Sequence, residues 1–266
     1  MSVMGAALDA FRFLTALPLP HGGKRGDLSA SVAFFPLVGV ALGGALVFVD
    51  WACGRAFPRV SHFLSAVLVL AVYAVFTGGL HHDGLMDVAD AFWGRRSRKE
   101  RLRIMKDARA GALGVTALAL FLLVELAAVY ALPARVAASP GRLRWAALLA
   151  FPVLGRWTMS YLCVRFPYAR EEGTGAAVIA GARPASLAAA SAIALAALAG
   201  CLVFVVRIPL LIAALAVFAV AFSELVGSYF KRALSGVTGD CVGAAGMLCE
   251  ALVLLLLASR VPELLV

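Results

Sequence analysis

The chain has 266 residues, 63% of them hydrophobic, and a mean hydropathy of +0.95. A soluble domain is only roughly half apolar, so these values exclude one and indicate an integral membrane protein. The formal net charge of +9 is carried mostly in loops between apolar spans. That is how cytoplasmic loops are marked and how anionic lipid or phosphate is met, so nucleic acid is not expected as a partner.

Residues 3–17 place Val3, Leu8, Phe11, Leu14 and Thr15 near helical spacing, with Asp9 and Arg12 interrupting the run and Pro18 and Pro20 stopping it. About fifteen residues are too few to cross a bilayer comfortably, so an interfacial or re-entrant helix is expected. The stretch lacks the basic start and unbroken apolar run of a signal peptide. A polar loop from His21 to Ser29 precedes span one, 31–50, which carries Pro36 and a strip of small residues at Gly39, Gly43 and Gly44. Such strips let helix backbones approach closely.

Span two, 61–77, runs into Gly78-Gly79, which frees the backbone before a mostly polar, helical segment at 81–110. Span three, 111–132, carries Glu125; span four, 143–163, holds Pro152 and Arg156. Span five, 185–206, is Ala/Leu-rich; span six, 208–227, contains Glu224; span seven, 241–258, contains Glu250. The expected fold is all-α: a polytopic helical bundle of about seven transmembrane helices plus an N-terminal interfacial helix, as a single domain over 1–266. Cys53, Cys163, Cys201, Cys241 and Cys249 are scattered and odd in number, with no CxxC pair, so neither a zinc site nor a disulfide framework is indicated.

Seven spans with 81–110 in the cytoplasm also send 1–30, 164–184 and 228–240 there, and these four regions hold 16 of the 24 Lys and Arg residues. The opposite side holds 7, and Arg156 lies within a span. The bias places the N-terminus inside and the C-terminus outside.

Within 81–110, Asp83, Asp87 and Asp90 stand at i, i+4 and i+7. That spacing puts three carboxylates within roughly 60° on one helix face. Like charges on one stripe repel, and a hard divalent cation removes the conflict; Mg²⁺ is held by one or two carboxylates plus substrate phosphate oxygens. The same topology brings Arg170 and Glu171 of the 164–184 loop, and Asp240 of the Thr-Gly-Asp loop, to this membrane face. His81 can ligate metal, although oxygen suits Mg²⁺ better. Lys106 and Arg109 flank Asp107 ahead of Gly111 and are placed for phosphate contact. Arg156 and Glu125 lie inside spans and need partners, since a buried charge costs about 2.5–3.5 kcal/mol on insertion scales. For Arg156 an interhelical ion pair and a substrate phosphate are both open.

The segments Thr77–Asp90, Ile104–Arg109, Tyr168–Gly173 and Thr238–Ala244 resemble those of the cobalamin-5′-phosphate synthase family, also called adenosylcobinamide-GDP ribazoletransferases. Phe13–Pro20 and Phe35–Gly39 fit its N-terminal pattern, so the resemblance covers nearly the whole chain in order. Two positions depart: Ala91 stands where the family often has Gly, and His82 where an aliphatic residue is usual. The resemblance implies late assembly of the nucleotide loop of cobalamin. A hydroxyl of α-ribazole or its 5′-phosphate attacks the cobinamide-linked phosphorus of adenosylcobinamide-GDP, and GMP leaves.

In that reading Asp83, Asp87, Asp90 and Asp107 hold Mg²⁺. Asp107 or Asp240 completes the coordination or accepts the hydroxyl proton, while His81, Lys106, Arg109, Arg156, Arg170 and Glu171 contact substrate. The partners implied are the two small-molecule substrates and the lipid bilayer, with a homo-oligomer compatible. The location implied is the bacterial cytoplasmic (inner) membrane with the site facing the cytoplasm. A CDP-alcohol phosphotransferase has an Ala-Arg pair after Asp-Gly and a different aspartate spacing, which this chain lacks. A transporter would place its charges near the bilayer midplane in paired broken helices.

Overall fold

A computed structural model describes residues 2–20, 28–57, 62–132, 135–136, 139–140, 142–173, 175–201 and 209–259. Its helices are α1 Val3–Leu14, α2 Phe35–Ala56, α3 His62–Thr77, α4 Leu80–Phe92, α5 Arg98–Ile104, α6 Ala112–Ala131, α7 Arg142–Arg165, α8 Ala176–Ile179, α9 Pro184–Cys201, α10 Pro209–Leu234 and α11 Gly239–Ala258. A 3₁₀ turn, Ser29–Phe34, leads into α2. Among the described residues the only strands are β1 Arg135–Val136 and β2 Ser139–Pro140, a two-residue antiparallel pairing.

Six helical stretches are long and apolar enough to cross a membrane, and α3 with α4 makes a seventh when the two are taken together. The all-α expectation of about seven spans therefore holds. The 21–27 loop and the connection at 202–208 between spans five and six lie outside the described residues. The α3–α4 pair is bent by 90°, and the bend sits on Gly78 and Gly79, whose φ values of 62° and 68° are left-handed. α1 is the expected short amphipathic helix, N-capped by the Ser2 side chain and burying Ala6, Ala10 and Leu14.

α7 and α11 form the core of the bundle, and their hydrophobic windows are 83% and 72% buried, against 28% for α6 and α10. The outer helices present Leu120, Leu123, Val217 and Leu225 outward, as lipid-facing spans do. α2 lies along α7 because the predicted strip of small residues faces it. A Cβ on Gly39 would stand 2.7 Å from Val153 Cα, and one on Gly43 2.7 Å from Leu149 Cα, whereas Gly44 faces open space.

Two buried ion-pair clusters cross-link the helices. At one end Arg144 Nε donates to Asp50 Oδ1 (2.9 Å), Trp145 Nε1 to Asp50 Oδ2 (3.0 Å), Ser65 Oγ to Asp50 Oδ1 (2.5 Å) and Arg144 Nη1 to the Val129 carbonyl (2.7 Å). α2, α3, α6 and α7 are thereby tied together at the end remote from α4. Deeper in the bundle Arg156 pairs with Glu250 and donates to Tyr73 Oη (2.5 Å), whose hydroxyl donates to Glu250 Oε1 (2.8 Å). Arg156 and Glu250 are wholly buried. Arg156 thus makes the interhelical ion pair that was one of its two readings, and its Nε and Nη2 have no protein partner.

Candidate functional site

At the α4 end of the bundle, loops far apart in sequence are stitched together by their backbones. The Ala169 N–H donates to the Val237 carbonyl (2.9 Å), and the Val237 N–H to the Pro167 carbonyl (2.9 Å). Arg98 on α5 donates to the carbonyls of Leu234 (2.7 Å) and Ala169 (2.9 Å), binding the basic segment to both loops. The convergence expected from counting positive charge is thus present as hydrogen bonds. Arg98 itself carried no sequence signal beyond membership of a basic run.

α4 crosses α11 at Gly84, where a Cβ would stand 3.0 Å from Asp240 Cα. Without that methyl group the two helices close, and Asp240 comes beside the aspartate stripe. The charged groups acting most strongly on Asp87 are Asp240, Asp83, Arg170 and Asp90: three like charges and one cation. Asp83 is exposed, and Asp87 and Asp240 are half-buried. Arg170 Nη2 donates to Asp240 Oδ2 (2.8 Å) and to the Met105 carbonyl (3.2 Å), and its buried Nε has no protein partner.

Asp240 is not the helix cap. Thr238 is the N-cap of α11, its hydroxyl accepting from Cys241 N (3.2 Å) and donating to Asp240 Oδ2 (3.3 Å). Asp240 lies within the first turn, where the helix dipole favours an anion, and its carboxylate is turned to Arg170 and α4.

Asp90 does something else. Its Oδ2 accepts from Gly111 N (2.8 Å) and its Oδ1 from Gly114 N (2.9 Å), so it caps the start of α6 from another helix. Both oxygens are engaged, and the absence of a Cβ at Gly111 and Gly114 makes room for them. The three-carboxylate stripe therefore divides: Asp83 and Asp87 join Asp240, while Asp90 anchors α6. Asp107 accepts from the Arg109 N–H (3.1 Å) in an exposed turn. Lys106, Arg109 and Glu171 are exposed at the same face.

His81 is buried beside Gly243 of α11, and it lines a cleft together with Asp83 and Asp240. Glu125 is buried with one carboxylate oxygen lacking a protein partner; Glu250 and Arg156 are the charged groups acting on it. Sequence reading missed Tyr73, whose hydroxyl sits between Arg156 and Glu250. A tyrosine in an apolar span carries no pattern that would have marked it.

Among the described residues no three His, Cys, Asp or Glu side chains stand close enough to enclose a cation. What the corner offers is an excess of hard carboxylate oxygens over positive charge. That donor set fits a cation bound jointly by one or two carboxylates and substrate phosphate, the habit of Mg²⁺, rather than a cage made of protein alone.

The family model described as cobalamin-5-phosphate synthase matches residues 6–258. A protein of Roseiflexus sp. (strain RS-1) is 36% identical over 258 residues, covering 96% of this chain and 89% of its own. One of Geotalea daltonii is 35% identical over 257 residues, covering 94% and 95%. One of Ralstonia nicotianae is 36% identical over 256 residues, covering 92% and 91%. All three are named adenosylcobinamide-GDP ribazoletransferase. No solved structure matches the chain.

Proposed function

The chain belongs to the cobalamin-5-phosphate synthase family, and we propose that it catalyses ribazole transfer at the corner where Asp83, Asp87, Asp240 and Arg170 meet. A ribazole hydroxyl oxygen forms a bond to the cobinamide-linked phosphorus of adenosylcobinamide-GDP. The bond from that phosphorus to the GMP oxygen breaks, GMP leaves, and the hydroxyl proton passes to a base or to water. The single observation that carries this reading is the corner itself, with carboxylates from two helices facing one guanidinium at a membrane face.

Phosphoryl transfer asks the protein chiefly for positioning and charge neutralisation. Arg170, held by Asp240 and the Met105 carbonyl, keeps its buried Nε available for a phosphate oxygen. Lys106 and Arg109, exposed on the same face, add positive charge for the second phosphate. Asp83, Asp87 and Asp240 are the residues that would hold Mg²⁺. The ion supplies Lewis-acid stabilisation of charge on the phosphate oxygens when bound. Asp90 contributes by fixing α4 against α6, and Arg156 by holding α7 to α11.

The location proposed is the cytoplasmic membrane with this corner facing inward, supported by the excess of Lys and Arg on the corner's side. The test is release of GMP from adenosylcobinamide-GDP by purified protein in detergent, dependent on α-ribazole and on Mg²⁺. A CDP-alcohol phosphotransferase or a transporter would release none. Asp87→Asn should lower turnover by about 100-fold or more, in line with losses seen when one charge-stabilising group is removed. Near-normal turnover in that variant at limiting Mg²⁺ would remove Asp87 from the site.

A further inference from the structure

Directly behind the corner lies a cleft of about 100 Å³ whose position suggests what it holds. Six helices line it: α1, α2, α4, α7, α8 and α11. Its walls are Phe35 from α2, Met159 and Cys163 from α7, and Val178 and Ile179 from α8, all buried. Its polar side chains are His81, Asp83 and Asp240, the last two belonging to the corner already described. An apolar recess with a few convergent polar groups is the usual build of a small-molecule site.

We propose that this cleft takes the apolar end of the lower base, the methyl-bearing ring of the dimethylbenzimidazole of α-ribazole. The proposal rests on the ribazoletransferase reading above and adds where the nucleophile is seated and how its base is selected. An apolar cavity of about 150 Å³ holds one benzene ring, so this cleft accepts one edge of a bicyclic base, with the rest toward the opening. The glycosidic nitrogen lies at the opposite end of that base from the two methyl groups. A base inserted methyl-first therefore leaves its ribose at the mouth, where Asp83 and Asp240 stand. The recess thus does positioning work: it presents the ribose hydroxyls to the reacting corner. Guanine is a poor occupant, because its hydrogen-bonding edge would be buried against Phe35, Met159, Val178 and Ile179 and left unpaired.

Two measurements on the full-length protein in detergent test this. The first is steady-state kinetics of GMP release. Val178→Phe, which fills the recess, should raise the KM for α-ribazole about 10-fold or more and leave the KM for adenosylcobinamide-GDP unmoved. Val178→Ala, the milder change, should weaken use of the dimethyl base several-fold while leaving the unmethylated benzimidazole riboside nearly unaffected. A lost methyl contact produces that coupling. The second is a thermal shift with α-ribazole alone, which wild type should show and Val178→Phe should not.

GMP release by wild type with unchanged ribazole kinetics in both variants would overturn the subsite and leave the reaction standing. So would a rise in KM confined to adenosylcobinamide-GDP. Apparent affinity for α-ribazole that is indifferent to base methylation but changes with detergent chain length would assign the recess to an acyl chain, and equally overturn it. Absence of GMP release by wild type would instead bring down the reaction reading itself. If Val178→Phe does not fold, the methylation series in Val178→Ala decides alone.

Discussion

At the scale of single residues, three aspartates that look equivalent on one helix face have been given different tasks. Asp90 accepts one backbone N–H on each oxygen, at 2.8 and 2.9 Å, and so does the work of a helix cap. Replacing a cap with alanine costs about 0.5–2 kcal/mol. Asp90→Ala should therefore lower the thermal midpoint in detergent, followed by tryptophan fluorescence, whereas Asp87→Asn should leave that midpoint in place and lose turnover. Equal stability loss in both variants would erase the distinction. Asp240 makes the opposite case. Thr238 already caps α11, so a carboxylate at 240 is not needed for helix initiation. Asp240→Ser keeps a short polar side chain there but removes the partner of Arg170, and kcat should fall while the midpoint moves little. Full activity of Asp240→Ser would remove Asp240 from the site.

At the scale of elements, the bundle depends on close backbone contact in one place and on buried charge in another. α2 and α7 touch through Gly39 and Gly43, where an added Cβ would meet backbone atoms that have no rotamer by which to move aside. Gly43→Ala should destabilise by about 1–3 kcal/mol, the usual range for overpacking, while Gly44→Ala should be neutral because its Cβ meets nothing. Comparison of the two midpoints checks the placement of the strip. α7 and α11 are joined by Arg156, Glu250 and Tyr73. Removing one charge of a buried pair leaves the other uncompensated and costs about 3–5 kcal/mol; removing both can restore much of that. Arg156→Met should thus express poorly. Arg156→Met with Glu250→Leu should recover folded protein, and that protein should still release GMP. A well-folded double variant without turnover would return Arg156 to the catalytic site.

At the scale of the whole molecule, the segments 164–173 and 235–240, with α4 and α5, form one polar end, and the Asp50–Arg144 cluster marks the other. The proposed orientation has the polar end in the cytoplasm, on the side richer in Lys and Arg. Single cysteines at Ser97, Ser235 and Ser139, with the native cysteines replaced, report the orientation through an impermeant thiol reagent on intact cells. Ser139 should label and the other two should not; labelling of Ser97 before Ser139 would invert the arrangement.

The sequence by itself determined the spans, the short amphipathic start, the break at Gly78-Gly79 and the gathering of the acidic and basic loops at one end of the bundle. Each is a local or additive property: hydropathy over one turn after another, two glycines free to take positive φ, and a count of charges between spans. The same local periodicity placed Asp83, Asp87 and Asp90 on one face and went no further, because which oxygens remain available depends on residues some twenty positions away. Only the tertiary structure brought Gly111 and Gly114 under Asp90 and seated Asp240 against Gly84. Only it joined Arg156 to Glu250, 94 residues distant. The cleft behind the corner was equally out of reach, since its walls come from α2, α7 and α8, and no single stretch of chain contains enough of it to leave a pattern.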